Sequence, residues 1–130
     1  MNRSDEAASQ GAPRPGETGS KSLYYAQRIC SLGDEPECDG RSLVTTSHEV
    51  IRHWATRRNA APATVIGTEY GDEPGVLRLD FDAASPNLRH VDWREWLAIF
   101  DQRELAFLYQ ENRSDGSRSD FFRICGPRTP

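Results

Sequence analysis

His48 and His53 are the residues whose types and spacing first suggest chemistry, because the run HEVIRH has the outline of a two-histidine metal-binding helix. In that motif the histidines are four residues apart, whereas these two are five apart. At ~3.6 residues per turn, a spacing of four rotates the side chains by ~40° and a spacing of five by ~140°. Two ligands so far apart cannot reach one ion from a straight helix. We therefore predict no metal site and no cofactor.

Two carboxylates, Asp80 and Asp82, are the second candidate for chemistry. They lie on the same face of one predicted strand, and a glycosidase needs two carboxylates ~5–10 Å apart. Alternation with the apolar residues Leu77, Leu79 and Phe81 already explains both as solvated positions. The sequence contains no nucleophile elbow, phosphate-binding loop or dinucleotide-binding glycine pattern. We therefore assign no catalytic residue and favour a protein without catalytic activity.

Four arginines form the third candidate, a possible interaction surface made of Arg52, Arg57 and Arg58 on the first predicted helix and Arg78 on a predicted strand. A basic helix face can bind nucleic acid. However, the net charge of −4, with both signs interspersed, gives no bulk attraction to nucleic acid or anionic lipid. A solvated face paired with local acids is the commoner reason for such a pattern. Nucleic acid is therefore a possible partner but not the favoured one.

Two capped amphipathic helices organise the rest of the chain. Thr46 and Glu49 fit a capping box, and Asp92 stands three residues before Glu95 in the same way. Apolar residues at helical spacing then predict one buried stripe on each helix. These stripes consist of Val50, Ile51, Trp54 and Ala55 in the first helix, and of Trp93, Trp96, Leu97 and Phe100 in the second.

Each helix is followed by two strand-like runs with a turn between them. The first pair covers residues 63–69 and 75–82, and the second covers residues 105–112 and 121–125. The connection over residues 83–90 contains Pro and Asn and predicts a loop. The sequence thus predicts an α+β fold, αββαββ, with a helix–hairpin pseudo-repeat. Its four-stranded, mainly antiparallel sheet would carry both helices on one face.

Composition divides the chain into three parts. Residues 1–22 offer almost nothing to bury, which predicts a disordered tail. Residues 23–45 predict a partly ordered segment or linker, and residues 46–126 a small α+β domain. The chain has three cysteines and no apolar run of the ~18 residues that a membrane helix needs, and its first residues lack the apolar stretch that would predict secretion. These features predict free thiols in a cytoplasmic protein that does not enter a membrane.

Four segments follow one another between residues 45 and 124: TSHEVIRHWATRR, PATVIGT, PGVLRLDF and WREWLAIFDQRELAFLYQ. In this pattern the chain resembles a group of small bacterial proteins of unknown function, whose members often carry the label 1,4-alpha-glucan branching enzyme. The label implies a carbohydrate-active protein, whereas branching enzymes resemble TIM-barrel glycosidases, and such a barrel takes ~250 residues. The group brings no established active site, so the resemblance implies no functional residue in this chain.

We therefore expect a small cytosolic domain without catalytic activity that binds a protein partner or a second copy of itself. The predicted core accounts for the apolar residues of the helices and strands, and the remaining residues form no recognisable reactive group. Two alternatives stay open. One is a carbohydrate-active protein of the glucan-branching type, with Asp80 and Asp82 as its carboxylates. The other is a nucleic-acid-binding accessory protein that uses Arg52, Arg57 and Arg58.

Overall fold

The structure, a computed structural model, describes residues 25–81 and 85–126 as an α+β fold with two helices and two sheets. The predicted tail over residues 1–22 and the carboxylate of Asp82 lie outside the described residues. In chain order the elements are β1 (Gln27–Arg28), β2 (Leu43–Thr45), α1 (His48–Arg57), β3 (Ala60–Val65), β4 (Leu77–Phe81), β5 (Leu88–His90), α2 (Trp93–Gln102), β6 (Ala106–Tyr109) and β7 (Phe122–Cys125).

The four-stranded sheet has the strand order β1-β2-β6-β7. It is antiparallel except where β1 pairs with β2. Val44 of β2 lies opposite Leu108 of β6, and Phe107 of β6 lies opposite Ile124 of β7. Residues 23–45, for which the sequence predicts a partly ordered segment or a linker, thus supply two strands. Of these, β2 is buried along its whole length.

The three-stranded sheet has the order β4-β3-β5, with only antiparallel pairs. Its third strand, β5, lies within residues 83–90, where the sequence predicts a loop. The two hairpins therefore belong to different sheets, whereas the sequence predicts that they share one. The two hairpins do not pair with each other because β2 occupies the second edge of β6 and β5 occupies the second edge of β3. The helix–hairpin pseudo-repeat stays a prediction.

Local side-chain chemistry sets where the helices begin and end. Ser47, not the predicted Thr46, caps α1, because its hydroxyl accepts a hydrogen bond from the amide three residues on, at 3.3 Å. Asp92 caps α2 as predicted, and its carboxylate accepts from the equivalent amide at 2.8 Å. Both helices are followed by a residue with left-handed backbone, Asn59 with φ of 57° and Glu104 with φ of 55°.

The apolar stripes of the helices form the core as the spacing predicts. The buried residues of α1 are the four predicted ones. In α2 the structure adds Ile99 to the predicted set and leaves Trp93 half-buried. Trp54 packs edge-to-face on Phe107, with ring centroids 5.4 Å apart, and Trp96 stacks on its own helix neighbour four residues on at 5.6 Å.

Each helix is bonded to the hairpin that follows the other helix. Trp54 of α1 donates its indole N–H to the carbonyl of Gln110, just beyond β6, at 2.8 Å. Trp96 of α2 donates its indole N–H to the carbonyl of Arg78 in β4 at 3.0 Å. Both indoles are fully buried, and a buried N–H without an acceptor would cost ~1–3 kcal/mol. The two tryptophans therefore hold both helices and both sheets around one core.

Arg58, at the end of α1, strengthens the first of these connections. Its side chain is 1% exposed and lies 4.2 Å above the ring of Trp54. The guanidinium donates to the carbonyls of Ser119 at 2.7 Å and Glu111 at 3.1 Å, and so ties α1 to the β6–β7 connection. Burial lowers the pKa of the Arg58 guanidinium and Glu111 opposes this, so the group stays charged. Arg58 therefore lies in the core and not on the predicted interaction surface.

Replacing Arg58 by Met should lower the free energy of unfolding by ~2–4 kcal/mol, because buried carbonyls lose their charged donor. The matched control is Arg57→Met, since Arg57 is adjacent but its side chain is half exposed. That control should change stability by no more than ~0.5 kcal/mol. Urea denaturation of both variants measures the difference, and equal effects would contradict the core role of Arg58.

Candidate functional site

Three exposed apolar side chains lie on the loop that joins β3 to β4. Tyr70 is 74% exposed, Ile66 is 51% exposed and Val76 is 40% exposed. Residues 66–76 are called the Tyr70 loop below. The sequence predicts strand at residues 66–69 and 75–76 with a turn between them, whereas β3 ends at Val65 and β4 begins at Leu77. The sequence pattern also does not show that these side chains stay in solvent while the rest of the segment is held in place.

A two-residue hairpin turn sets Tyr70 near the tip of the loop. Tyr70 and Glu73 exchange two backbone hydrogen bonds, at 3.1 and 2.9 Å, across Gly71 and Asp72. Gly71 has φ of 62°, a left-handed conformation that glycine adopts without strain. The tip therefore has a defined backbone conformation although the side chain of Tyr70 is mostly exposed to solvent.

Two threonines cross-link the base of the Tyr70 loop. The hydroxyl of Thr64 donates to the carbonyl of Val76 and accepts from the amide of Gly75, both at 2.9 Å. The hydroxyl of Thr68 donates to the carbonyl of Val65 at 2.7 Å and accepts from the amide of Val76 at 2.9 Å. A Cβ on Gly75 would lie 2.1 Å from the Thr68 carbonyl oxygen, so only glycine permits this approach.

Two arginines attach the Tyr70 loop to the neighbouring elements. Arg103, which follows α2, donates to the carbonyl of Pro74 at 2.7 Å and to that of Gly75. Arg89 of β5 donates to the carboxylate of Glu69 and forms an ion pair with it. The hydrogen bond from Arg89 is the main reason why the pKa of the Glu69 carboxyl lies below its usual value. The loop is thus bonded to the sheet and to a helix.

An open cavity of about 580 Å³ lies against the Tyr70 loop. Ligand sites typically have volumes of ~300–1,000 Å³ and combine apolar surface with a few polar groups. The cavity offers an aromatic ring, a carboxylate and a guanidinium. It is lined by Gly67, Thr68, Glu69, Tyr70, Gly75, Val76 and Arg103.

Asp80, a carboxylate that the sequence nominates for carbohydrate chemistry, is 2% exposed and bonded to His90. His90 Nε2 lies 2.8 Å from Asp80 Oδ2. Hydrogen bonding with His90 is the main reason why the pKa of the Asp80 carboxyl lies below its usual value, whereas Asp80 Oδ1 is buried without a hydrogen-bond partner among the described residues. Sequence reasoning misses His90 because β3 lies between the strands that bring the two residues together. Buried and engaged in this way, Asp80 does not face a sugar-sized cleft.

His48 and His53, the two histidines of the HEVIRH run, lie in different environments. His48 lies at the start of α1, where its Nε2 is 2.8 Å from the Asp101 carboxylate at the end of α2. His53 is exposed on α1. Within residues 25–81 and 85–126, no group of three or more His, Cys, Asp or Glu side chains is placed to hold a metal ion.

The four predicted surface arginines separate into different environments. Arg52 is exposed on α1, and Arg57 is half exposed, with its guanidinium 3.5 Å from the Glu111 carboxylate. Arg78 is exposed on β4 and donates to the carbonyl of Leu77 at 3.0 Å. Because Arg58 is buried, the basic face of α1 retains two of its three arginines.

The cysteines and the two helices offer no further reactive or membrane-spanning feature among the described residues. Cys30 and Cys38 are exposed free thiols, and Cys125 is buried. Burial raises the pKa of the Cys125 thiol, which makes it a poor nucleophile. Among the described residues, neither helix has the length and apolar character required to cross a membrane.

The Asp80–His90 bond should make the free energy of unfolding depend on pH in the acidic range. Because the folded state lowers the pKa of Asp80, the bond's contribution is complete above the unfolded pKa of ~3.9 and is lost as pH falls through the lower folded value. The free energy of unfolding of the wild type should therefore exceed that of Asp80→Asn at pH 6, and the difference should vanish towards pH 2.

Urea denaturation at a series of pH values measures this difference. His90→Ala serves as the second variant, because removing the donor should abolish most of the same acid-dependent increment. A difference between wild type and Asp80→Asn that is as large at pH 2 as at pH 6 would contradict the role assigned to the bond.

Comparisons with known proteins complete the description of the site. No protein-family model, no curated protein and no solved structure matches the chain. The geometry of the Tyr70 loop and its cavity is therefore the basis for assigning a function.

Proposed function

We propose that this protein is a non-catalytic recognition module that binds a protein partner through the Tyr70 loop. The observation that carries the proposal is a loop held by hydrogen bonds of four side chains, those of Thr64, Thr68, Arg89 and Arg103, that still leaves three apolar side chains exposed: Ile66, Tyr70 and Val76. Folding alone does not require a hydrogen-bonded loop that carries an exposed tyrosine. Binding would use such a loop, because loops on a rigid scaffold are the usual location of recognition residues.

Order in the Tyr70 loop favours binding for an entropic reason. Immobilising a free loop and its side chains on association costs ~0.5–1.5 kcal/mol for each side chain that becomes fixed. The bonds of Thr64, Thr68 and Arg103 fix the backbone of the loop in the unbound protein, so association need not order that backbone as well. Tyrosine is also among the residue types enriched at the energetic centres of interfaces, since it combines a large apolar ring with a hydroxyl.

Charge at the tip of the loop indicates the chemistry of the partner. Asp72 lies in the turn and Glu73 directly follows it; both are exposed, and neither forms an ion pair within the described part of the chain. Glu69 is already paired with Arg89. A complementary surface would therefore have an apolar pocket for Tyr70 with basic residues around it. We place this interaction in the cytoplasm, where the exposed cysteines would remain thiols.

A carbohydrate ligand is the second candidate, and the cavity beside Tyr70 favours it. An exposed aromatic ring next to Glu69 and Arg103 offers an apolar platform with polar groups at its margin. The label carried by the small bacterial proteins that the chain resembles points to glucan. Incubation of glucan with purified protein should change its chain-length distribution if the protein is a branching enzyme. An unchanged distribution would remove the catalytic form of this candidate.

Replacing Tyr70 by Ala should abolish capture of the protein partner, because the exposed ring would be the anchor of the interface. The measurement is affinity capture of the tagged full-length protein from an extract of its native host, followed by quantitative mass spectrometry. Truncating such an anchor typically costs at least ~2 kcal/mol, so recovery should fall by roughly 30-fold or more.

Leu32→Ala is the matched control, since Leu32 is an exposed apolar residue outside the Tyr70 loop. Its capture profile should equal that of the wild type. A nuclease-treated sample runs in parallel. Recovery of nuclease-sensitive material alone would sink the proposal in favour of nucleic-acid binding, and equal recovery with wild type and Tyr70→Ala would show that the loop is not the binding surface.

A further inference from the structure

The outer edge of β7 carries backbone groups that no other part of the described chain uses. Gln110 donates to the carbonyl of Phe121 at 3.3 Å, which makes these two a hydrogen-bonded pair. In an antiparallel ladder such pairs alternate, so Arg123 also bonds to β6, whereas Phe122 and Ile124 direct their N–H and C=O groups away from it. Within the described residues, these outward groups meet no donor or acceptor.

The other sheet edges are shorter or partly closed. β1 has two residues and β5 has three, against four in β7. On β4, the outward carbonyl of Leu77 already accepts a hydrogen bond from the side chain of Arg78. Open strand edges that present unpaired groups are templates for pairing with another strand. Of the described edges, β7 is the one best suited to accept one.

We propose that a second copy of this chain adds to β7 as an antiparallel strand across a two-fold axis. Two copies of the same edge are self-complementary under such an axis, which is the commonest symmetry of protein dimers. The two four-stranded sheets would then form one continuous eight-stranded sheet. This surface is separate from the Tyr70 loop, so the inference stands whether or not that loop binds a partner.

Side-chain chemistry selects the register of this pairing. If the axis passed through Arg123, the arginine would lie opposite the partner's Arg123, and like charges directly opposite are destabilising. If the axis passes through Phe122, the residue Phe121 lies opposite the partner's Arg123. Phe121 is 42% exposed, and Arg123 is exposed and forms no ion pair within the described residues. A guanidinium facing an aromatic ring is a favourable pair.

The selected register also satisfies the free backbone groups. Phe122 exchanges two hydrogen bonds with the partner's Phe122 at the axis, and Ile124 exchanges two with the partner's Asp120 on each side. The half-buried ring of Phe122 becomes covered by its copy. The same interface therefore supplies partners for the outward N–H groups, for the exposed ring of Phe121 and for the charge of Arg123.

Sedimentation velocity of the full-length chain over a range of concentrations tests the proposal. The wild type should show a monomer–dimer equilibrium. Ile124→Pro should be monomeric, because proline removes an outward N–H that β6 does not use, a position where edge strands tolerate proline. The matched control, Ile124→Ala, loses the side chain but keeps the N–H and should still dimerise. A wild type that stays monomeric up to millimolar concentration would overturn the proposal.

A charge exchange tests the register without relying on proline. Phe121→Lys alone and Arg123→Glu alone should each weaken dimerisation by roughly 5- to 30-fold, because two aromatic–cation contacts are lost per dimer. The double variant should regain affinity, since each lysine then faces a partner's glutamate. Dimers that form equally well in all four proteins would refute the register, and folding of each variant is checked by its urea denaturation.

Discussion

One indole and one guanidinium hold each helix against the hairpin that follows the other helix, and the rest of the fold depends on this reciprocal connection. Trp54 and Arg58 of the α1 region bond to the β6–β7 hairpin. Trp96 and Arg103 of the α2 region bond to β4 and to the loop before it. The bond from Trp54 spans 56 residues of sequence. The acceptor of each buried indole lies outside that helix and its own hairpin, so the two halves of the fold stabilise each other.

The same connection accounts for the state of the Tyr70 loop. Arg103 follows α2 directly, and α2 is fixed in the core by Trp96, Leu97 and Phe100. The guanidinium of Arg103 therefore holds the carbonyls before β4 from a position that the core itself determines. A loop supported from the core cannot fold its tip onto the nearest apolar surface. This explains how Tyr70 can remain in solvent on a loop whose backbone is held by hydrogen bonds, and it links the proposed recognition surface to the energetics of folding.

Features that depend on neighbouring residues can be predicted from the sequence, whereas features that depend on contacts between residues far apart in the sequence cannot. The cap at Asp92 depends on neighbouring residues, and the sequence predicts it. The burial of Arg58 depends on carbonyls contributed by Glu111 and Ser119, which no helical pattern reveals, so its charge alone suggests a surface residue. β5 and the Asp80–His90 bond are missed for the same reason, because strand order decides which residues meet across β3.

The two proposed surfaces lie on different sheets, and this separation has a functional consequence. The Tyr70 loop extends from the three-stranded sheet, whereas β7 is the edge of the four-stranded sheet. Because the proposed pairing uses only β7, it would leave the loop residues of each copy free, and such a dimer would present two Tyr70 loops. A partner with two matching pockets would bind the second loop in an intramolecular step. Such linkage can raise the overall affinity by ~10²–10⁴ without any new contact, and it allows a weak single-loop interaction to become specific for a repeated or dimeric partner.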